Sequence, residues 1–201
     1  MELSTQSEIQ ETLTDETGSE RIFVGSNRFY NKEFAEYVGR TNFQSMIDAY
    51  VGYMLQYESH EELAECFACE QVDALALAIS QHKSNRAIWI GDQTGLGKGR
   101  VAAGLLRYAK LQGLRPAFFT LNAQLFGDIW RDITAIKADK LFTNPFIFNA
   151  NASINEFGTN NELFKGTNIP KNLDKISDKH DLVLATYSQF GKPGQKPDLL
   201  I

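Results

Sequence analysis

Cysteine is almost absent. The 201 residues hold two, Cys66 and Cys69, in a single C-x-x-C step. That is too few for a disulfide framework, and a zinc site needs four ligands. His82 follows Cys69 at a finger-like spacing, but no second histidine comes within five residues, and His60 and His180 complete no known spacing. The pair reads as two small apolar residues one turn apart on one helix. Long apolar runs are missing too: nothing approaches the ~18 residues of a membrane span. The start, Met1-Glu-Leu-Ser-Thr-Gln-Ser-Glu8, has neither the basic opening nor the apolar core of a signal peptide. A cytoplasmic location with no membrane partner is the expectation. After Lys98 no Asp-Glu pair occurs anywhere.

What is present is an ordinary globular composition, 43% hydrophobic and 22% charged, with charge unevenly placed. Residues 1–20 hold six acids and no Lys or Arg, and read as a disordered acidic tail. Residues 21–82 hold four basic against nine acidic residues and form a helical lead-in. Within it Phe23, Phe29, Phe34 and Tyr37 serve as anchors among turn signals. Thr41 or Asn42 caps a helix over Phe43 to Tyr57. Ser59, with Glu62 three positions on, opens a helix running to about His82. Residues 83–201 hold sixteen basic against ten acidic residues, an excess that suits either nucleic acid or a solvated surface.

This last region alternates strands and helices. Ala87-Ile-Trp-Ile90 is an apolar strand candidate, followed by Gly91-Asp-Gln-Thr-Gly-Leu-Gly-Lys-Gly-Arg100 and a helix from Lys98 to about Gln112, with Gly113 as its C′ residue. Then come a strand at Pro116–Leu121, a cap at Asn122, a helix from Gln124 to about Ile136, and a strand at Pro145–Asn149. An Asn- and Gly-rich surface excursion fills 150–178. A strand at Asp181–Tyr187 and a turn-rich loop at Gly191–Pro197 follow, and Asp198–Ile201 begins another strand. The fold class is therefore α/β, a parallel sheet with helices on both faces.

The glycine loop carries the chemistry. Gly95-x-Gly97-Lys98 between a strand and a helix lets backbone N–H groups wrap a phosphate chain. The lysine then reaches the terminal phosphates, and the helix N-terminus adds favourable partial charge. Two departures from the general P-loop pattern stand out. Asp92 replaces the first glycine, and Gly99 replaces the hydroxyl residue that normally ligates Mg²⁺. Any metal must be held through water or by carboxylates elsewhere.

The string Gly-Asp-x-Thr-Gly-Leu-Gly-Lys-Gly-Arg-Val-Ala-Ala-Gly from Gly91 resembles the strawberry notch helicase-like family, including its bacterial and phage members, over about residues 65–201. Asp92-x-x-Gly-x-Gly-Lys is similar to motif I of superfamily-2 helicases. The resemblance implies an incomplete RecA-like P-loop lobe, ATP and Mg²⁺ as cofactors, and DNA as partner. It implies that Lys98 is catalytic and that Asp92, Thr94, Gly95, Leu96, Gly97, Gly99 and Arg100 line the nucleotide. Gln71 would read the adenine edge, its alternative being a solvated helix glutamine. Thr120, Asn122, Arg131 and Thr186 would face nucleic acid, although Asn122 is equally a helix cap. In this family Gly-Arg after the lysine is the usual form, and phage members often sit in large proteins with DNA-modifying or antirestriction roles.

The family's acidic box and second lobe are not in these residues, so little ATP turnover is expected from them alone. Two functions remain open: the front of an ATP-dependent helicase or translocase, or a non-catalytic interaction protein that binds a host or defence protein. A protein partner covering the open sheet edge belongs with either. Another kind of P-loop NTPase is disfavoured by Asp92 and Gly99.

Overall fold

The structure, a computed structural model, describes residues 9–14, 20–25, 32–43, 45–91, 95–156, 158–167 and 176–189. The chain divides into two compact units, Met1–Ala76 and Leu77–Ile201, and the division falls inside a helix.

In the first unit, β1 (Ile9–Thr14) and β2 (Glu20–Gly25) pair antiparallel, with Ile9 opposite Gly25 and Thr14 opposite Glu20. This differs from the disordered tail expected over 1–20. Ile9, Thr12, Leu13 and Thr14 on one side and Ile22, Phe23 and Val24 on the other give both segments strand propensity, which the acidic composition hides. The rest of that tail and Phe29 lie outside the described residues.

Four helices follow: α1 (Lys32–Arg40), α2 (Met46–Leu55), α3 (His60–Cys66) and α4 (Cys69–Lys83). An aromatic cluster joins the first two, with Tyr53 edge-on to Phe34 at 5.3 Å and to Tyr37 at 5.4 Å. The buried Tyr37 hydroxyl donates to the Tyr57 carbonyl at 2.5 Å, and burial pushes its phenol well above the ordinary range.

Two expectations need correction here. The cap of α2 is Ser45, not Thr41 or Asn42. Its hydroxyl accepts from the Ile47 and Asp48 amides, so the helix starts at Met46. The helix opened by Ser59 does not reach His82, because Phe67 turns extended (φ −138°, ψ 140°) and closes α3. A new helix then starts at Cys69, where Gln71 Oε1 accepts from the Ala68 amide at 3.1 Å. That is the backward half of a capping box. The two cysteines consequently sit on different helices, Cys66 buried and Cys69 exposed.

The second unit is built on three parallel strands in the order β3 (Ala117–Thr120), β7 (Leu182–Thr186), β4 (Pro145–Ile147). All five residues of the central β7 are buried, as expected for an apolar run covered on both faces. Val183 and Ala185 pack with Phe146, Phe148 and Ile176 on one face, and Leu182 and Leu184 are fully buried on the other. Asp181 Oδ2 accepts from the Thr143 and Asn144 amides at 2.7 and 2.9 Å, which sets the start of β4 beside the start of β7.

Within the expected surface excursion, β5 (Ser153–Asn155) and β6 (Glu162–Lys165) form an antiparallel pair with a register shift at Ile154/Asn155. Ile154 is fully buried, and Phe164 meets Trp130 edge-on at 4.8 Å. Two apolar side chains in an Asn- and Gly-rich stretch were enough to anchor it. Residues 168–175 and everything from 190 onward, including the Gly191–Pro197 loop and the Asp198–Ile201 strand, lie outside the described residues. Among the described residues no helix is long and apolar enough to cross a membrane.

Helices α5 (Lys98–Leu111) and α6 (Leu125–Ala135) pack together. The buried Arg107 of α5 donates to the Ile136 and Lys137 carbonyls at 3.0 and 3.1 Å, closing the C-terminus of α6. Four helices end in the same paired 6→1 and 5→2 backbone bonds. The left-handed residue is Gln56 after α2, Asn85 after α4, Gly113 after α5 and Lys137 after α6.

Lys137 holds φ at 57°, a region where a side chain costs about 1 kcal/mol. Lys137→Gly is therefore expected to raise the denaturation midpoint by roughly 0.5 kcal/mol equivalent, after allowing for the entropy that glycine adds to the unfolded chain. Arg107→Met strands two carbonyls and is expected to lower stability by about 2 kcal/mol in chemical denaturation. An unchanged midpoint would show that water satisfies those carbonyls instead.

Candidate functional site

The start of α5 breaks the rules that stabilise helix N-termini. Its N-cap is Gly97, in the left-handed region at φ 74° and ψ 34°, with no side chain to cap the first amides. Its first turn holds no acidic residue and opens on Lys98-Gly-Arg100, so cations sit where the helix dipole is already positive. Gly95 takes φ 100°, a conformation open to glycine, and Leu96 between the glycines is exposed. A helix end left uncapped, cationic and approached by two positive-φ glycines is unfavourable alone and favourable around an anion. Arg100 and Val101 direct their amides back to the Gly97 carbonyl at 2.8 and 3.3 Å, so the first turn is formed.

The carboxylate bordering this loop is Asp132 of α6. A Cβ added at Gly99 would run into Asp132 Oδ2. The other oxygen, Oδ1, lies 3.5 Å from Arg100 Nε and 3.9 Å from an Arg131 guanidinium nitrogen. The Asp132 side chain is only 13% exposed, so it acts in a partly dry setting. Glycine at position 99 thus has a steric reason: the side chain of 99 and the carboxylate of 132 compete for the same space.

The other candidate residues fall into separate groups. Asp92 and Thr94 lie outside the described residues. Gln71 lies in the first unit, whereas the loop belongs to the second. Thr120 and Thr186 end adjacent strands and face each other in register, but both are buried. The Thr186 hydroxyl pairs with Ser188 at 3.0 Å. The exposed Tyr187 stacks on Phe119 at 6.4 Å, and Leu121 is exposed at the same carboxyl edge of the sheet. Asn122 is exposed, and its Oδ1 accepts from the Gln124 amide at 3.0 Å in a turn just ahead of α6; the expected cap there is corrected, because the N-cap is Gln124 and no side chain caps that helix. Arg131 is half-exposed and pairs with Asp128 at 3.2 Å as well as with Asp132.

One structural expectation fails beside the loop. Ala87–Ile90 forms no strand, and Trp89 is 91% exposed. An apolar run reads as buried only where a neighbouring strand covers it, and none of the described strands pairs with this one. Reading the sequence did not find Asp132, although the missing hydroxyl at 99 pointed to a carboxylate from elsewhere.

Chemically, the described residues offer backbone amides, one lysine and one arginine to a phosphate chain, with a carboxylate at the loop's flank. Among the described residues no group of three or more His, Cys, Asp or Glu side chains gathers as a metal cage. Mg²⁺ bound with a nucleotide does not require one, since one or two carboxylates plus phosphate oxygens and water complete its shell.

Protein FORGETTER 1 of Arabidopsis thaliana is 29% identical over 100 residues, which cover 46% of this chain and 8% of that protein. The chain thus spans a small part of the length of that relative. No solved structure matches the chain. The profile of the P-loop containing NTP hydrolase pore-1 family matches residues 35–198, which takes in the loop, both helices around it and the parallel sheet. With its glycine loop, its Lys98-led helix and a family match over most of its length, the chain belongs to the P-loop containing NTP hydrolase pore-1 family.

Proposed function

We propose that this chain is the nucleotide-binding front part of an ATP-dependent DNA helicase or translocase of strawberry notch type. The observation that carries the reading is the uncapped, cationic, glycine-approached start of α5. Lys98 would neutralise charge on the terminal phosphates. The amides around Gly95 and Gly97 would wrap the phosphate chain, and Arg100 would stand beside it. Mg²⁺, when bound with ATP, supplies further charge neutralisation on the phosphates. Leu96, between the two positive-φ glycines, is exposed and would lie near the base or sugar. Gln71 as adenine reader would have to share its Oε1 with the Ala68 amide, which a carbonyl oxygen with two lone pairs can do.

DNA would run across the carboxyl edge of the sheet, where open α/β folds place ligands. Asn122 and Tyr187 are exposed just beyond the ends of β3 and β7, Arg131 is half-exposed on α6, and Thr120 and Thr186 would support the contact from beneath. Arg131 and Arg100 share Asp132, so a phosphate drawn to either arginine loosens the other's partner. A cytoplasmic setting fits this role.

A second reading rests on the exposed Ala87–Ile90 run. A large apolar side chain as open as Trp89 suits a covering strand, supplied by a protein partner or by another part of a longer polypeptide. A non-catalytic interaction role would use this surface.

Calorimetry with ATP separates these readings. Binding that Lys98→Ala weakens by about tenfold or more, the worth of a charged hydrogen bond, supports the motor. Gly97→Ala, which forces a side chain into φ 74°, should also weaken it while costing about 1 kcal/mol of stability. The 201 residues alone should turn ATP over negligibly. Binding indifferent to Lys98, together with a stoichiometric protein complex, would sink the motor reading.

A further inference from the structure

We propose that Asp132 supplies, from the neighbouring helix, the metal-facing oxygen that the phosphate loop lacks at Gly99. The inference rests on the nucleotide reading above and adds a residue to it. A P-loop normally places a hydroxyl directly after its lysine, and that hydroxyl serves Mg²⁺. Here position 99 has no side chain. The space its side chain would fill is not vacant, however, because Asp132 Oδ2 occupies it. The oxygen has been moved from the loop to α6 rather than lost.

The two oxygens of Asp132 divide the work. Oδ1 faces both guanidinium groups, Arg100 at 3.5 Å and Arg131 at 3.9 Å. Both distances exceed those of tight charge-assisted hydrogen bonds, so the arginines orient the carboxylate without saturating it. Oδ2 is turned to Gly99, while both ion pairs run through Oδ1. A carboxylate oxygen held at low exposure beside a phosphate loop is a hard ligand of the kind Mg²⁺ takes, directly or through water.

Its position is fixed by packing. Ile129, one turn before it, and the adjacent Ile133 are buried, and Arg107 closes the far end of α6. The carboxylate is therefore presented by an element anchored in the core, with none of the freedom of a loop. The same geometry makes positions 99 and 132 interdependent. A serine at 99 cannot coexist with Asp132 as placed, and removing the Asp132 carboxylate opens room for that serine.

The test measures ATP affinity of the purified protein by calorimetry, in Mg²⁺ and in EDTA, together with melting temperature, for five forms. In the unaltered protein Mg²⁺ should raise affinity. Asp132→Asn keeps the shape and should cut that gain by about tenfold, while the EDTA affinity should hold or rise, because a negative charge beside the phosphates is removed and Arg100 is released from it. Gly99→Ser alone should lower the melting temperature, because the carboxylate must swing away. Gly99→Ser with Asp132→Ala should recover both the melting temperature and much of the Mg²⁺ gain. Lys98→Ala should weaken binding in Mg²⁺ and in EDTA alike. A full Mg²⁺ gain in Asp132→Asn overturns the proposal and leaves the nucleotide reading standing. Absence of nucleotide binding in the unaltered protein overturns both.

Discussion

The packing of α5 against α6 is the constraint on which the site depends. The N-terminus of α5 would fray if left to itself, since glycine offers it no cap and its first side chains carry the wrong charge for its dipole. Two contacts with α6 hold it. Asp132 sits against Gly99 and Arg100 at one end, and Arg107 reaches the Ile136 and Lys137 carbonyls at the other. Their order along both helices is the same, so the pair is fixed in rotation as well as in position. Local stability is given up at the loop and recovered a helix away, as is common where backbone amides must stay open to a ligand.

Much of this was legible in the sequence. The strands around Phe118, Phe146 and Leu184 show as short apolar runs, and Gly113 marks the end of α5. The loop itself is local chemistry, readable from spacing. What was not legible depends on contacts distant in sequence. Asp132 looks like a surface acid on an amphipathic helix, and only its placement over Gly99 gives it a role. Ala87–Ile90 has the composition of a core strand, but its burial depends on a neighbour that none of the described strands provides. The break between α3 and α4 lies at Phe67-Ala68, which carry no proline or glycine to announce it.

Helix endings show the same limit. Three of the four left-handed terminators are Gln56, Asn85 and Lys137, and only the fourth is glycine. Glycine signals such an end because it takes positive φ without strain. A glutamine or lysine does so only when hydrogen bonds around it outweigh the steric cost. At Lys137 the carbonyl is held by Arg107, so a residue of α5 helps decide where α6 stops.

The two tryptophans divide the second unit between them. Trp130 is buried in α6 against Phe164, whereas Trp89 stands in water two residues before Gly91, at the threshold of the nucleotide loop. Indole emission shifts to the red in water and to the blue in an apolar setting, so the protein carries two intrinsic fluorophores of different colour. The red component watches the approach to the loop, and the blue one watches the helix that carries Asp132. Covering of the exposed run by another segment or subunit and rearrangement around α6 would therefore appear as separate spectral changes in one label-free experiment.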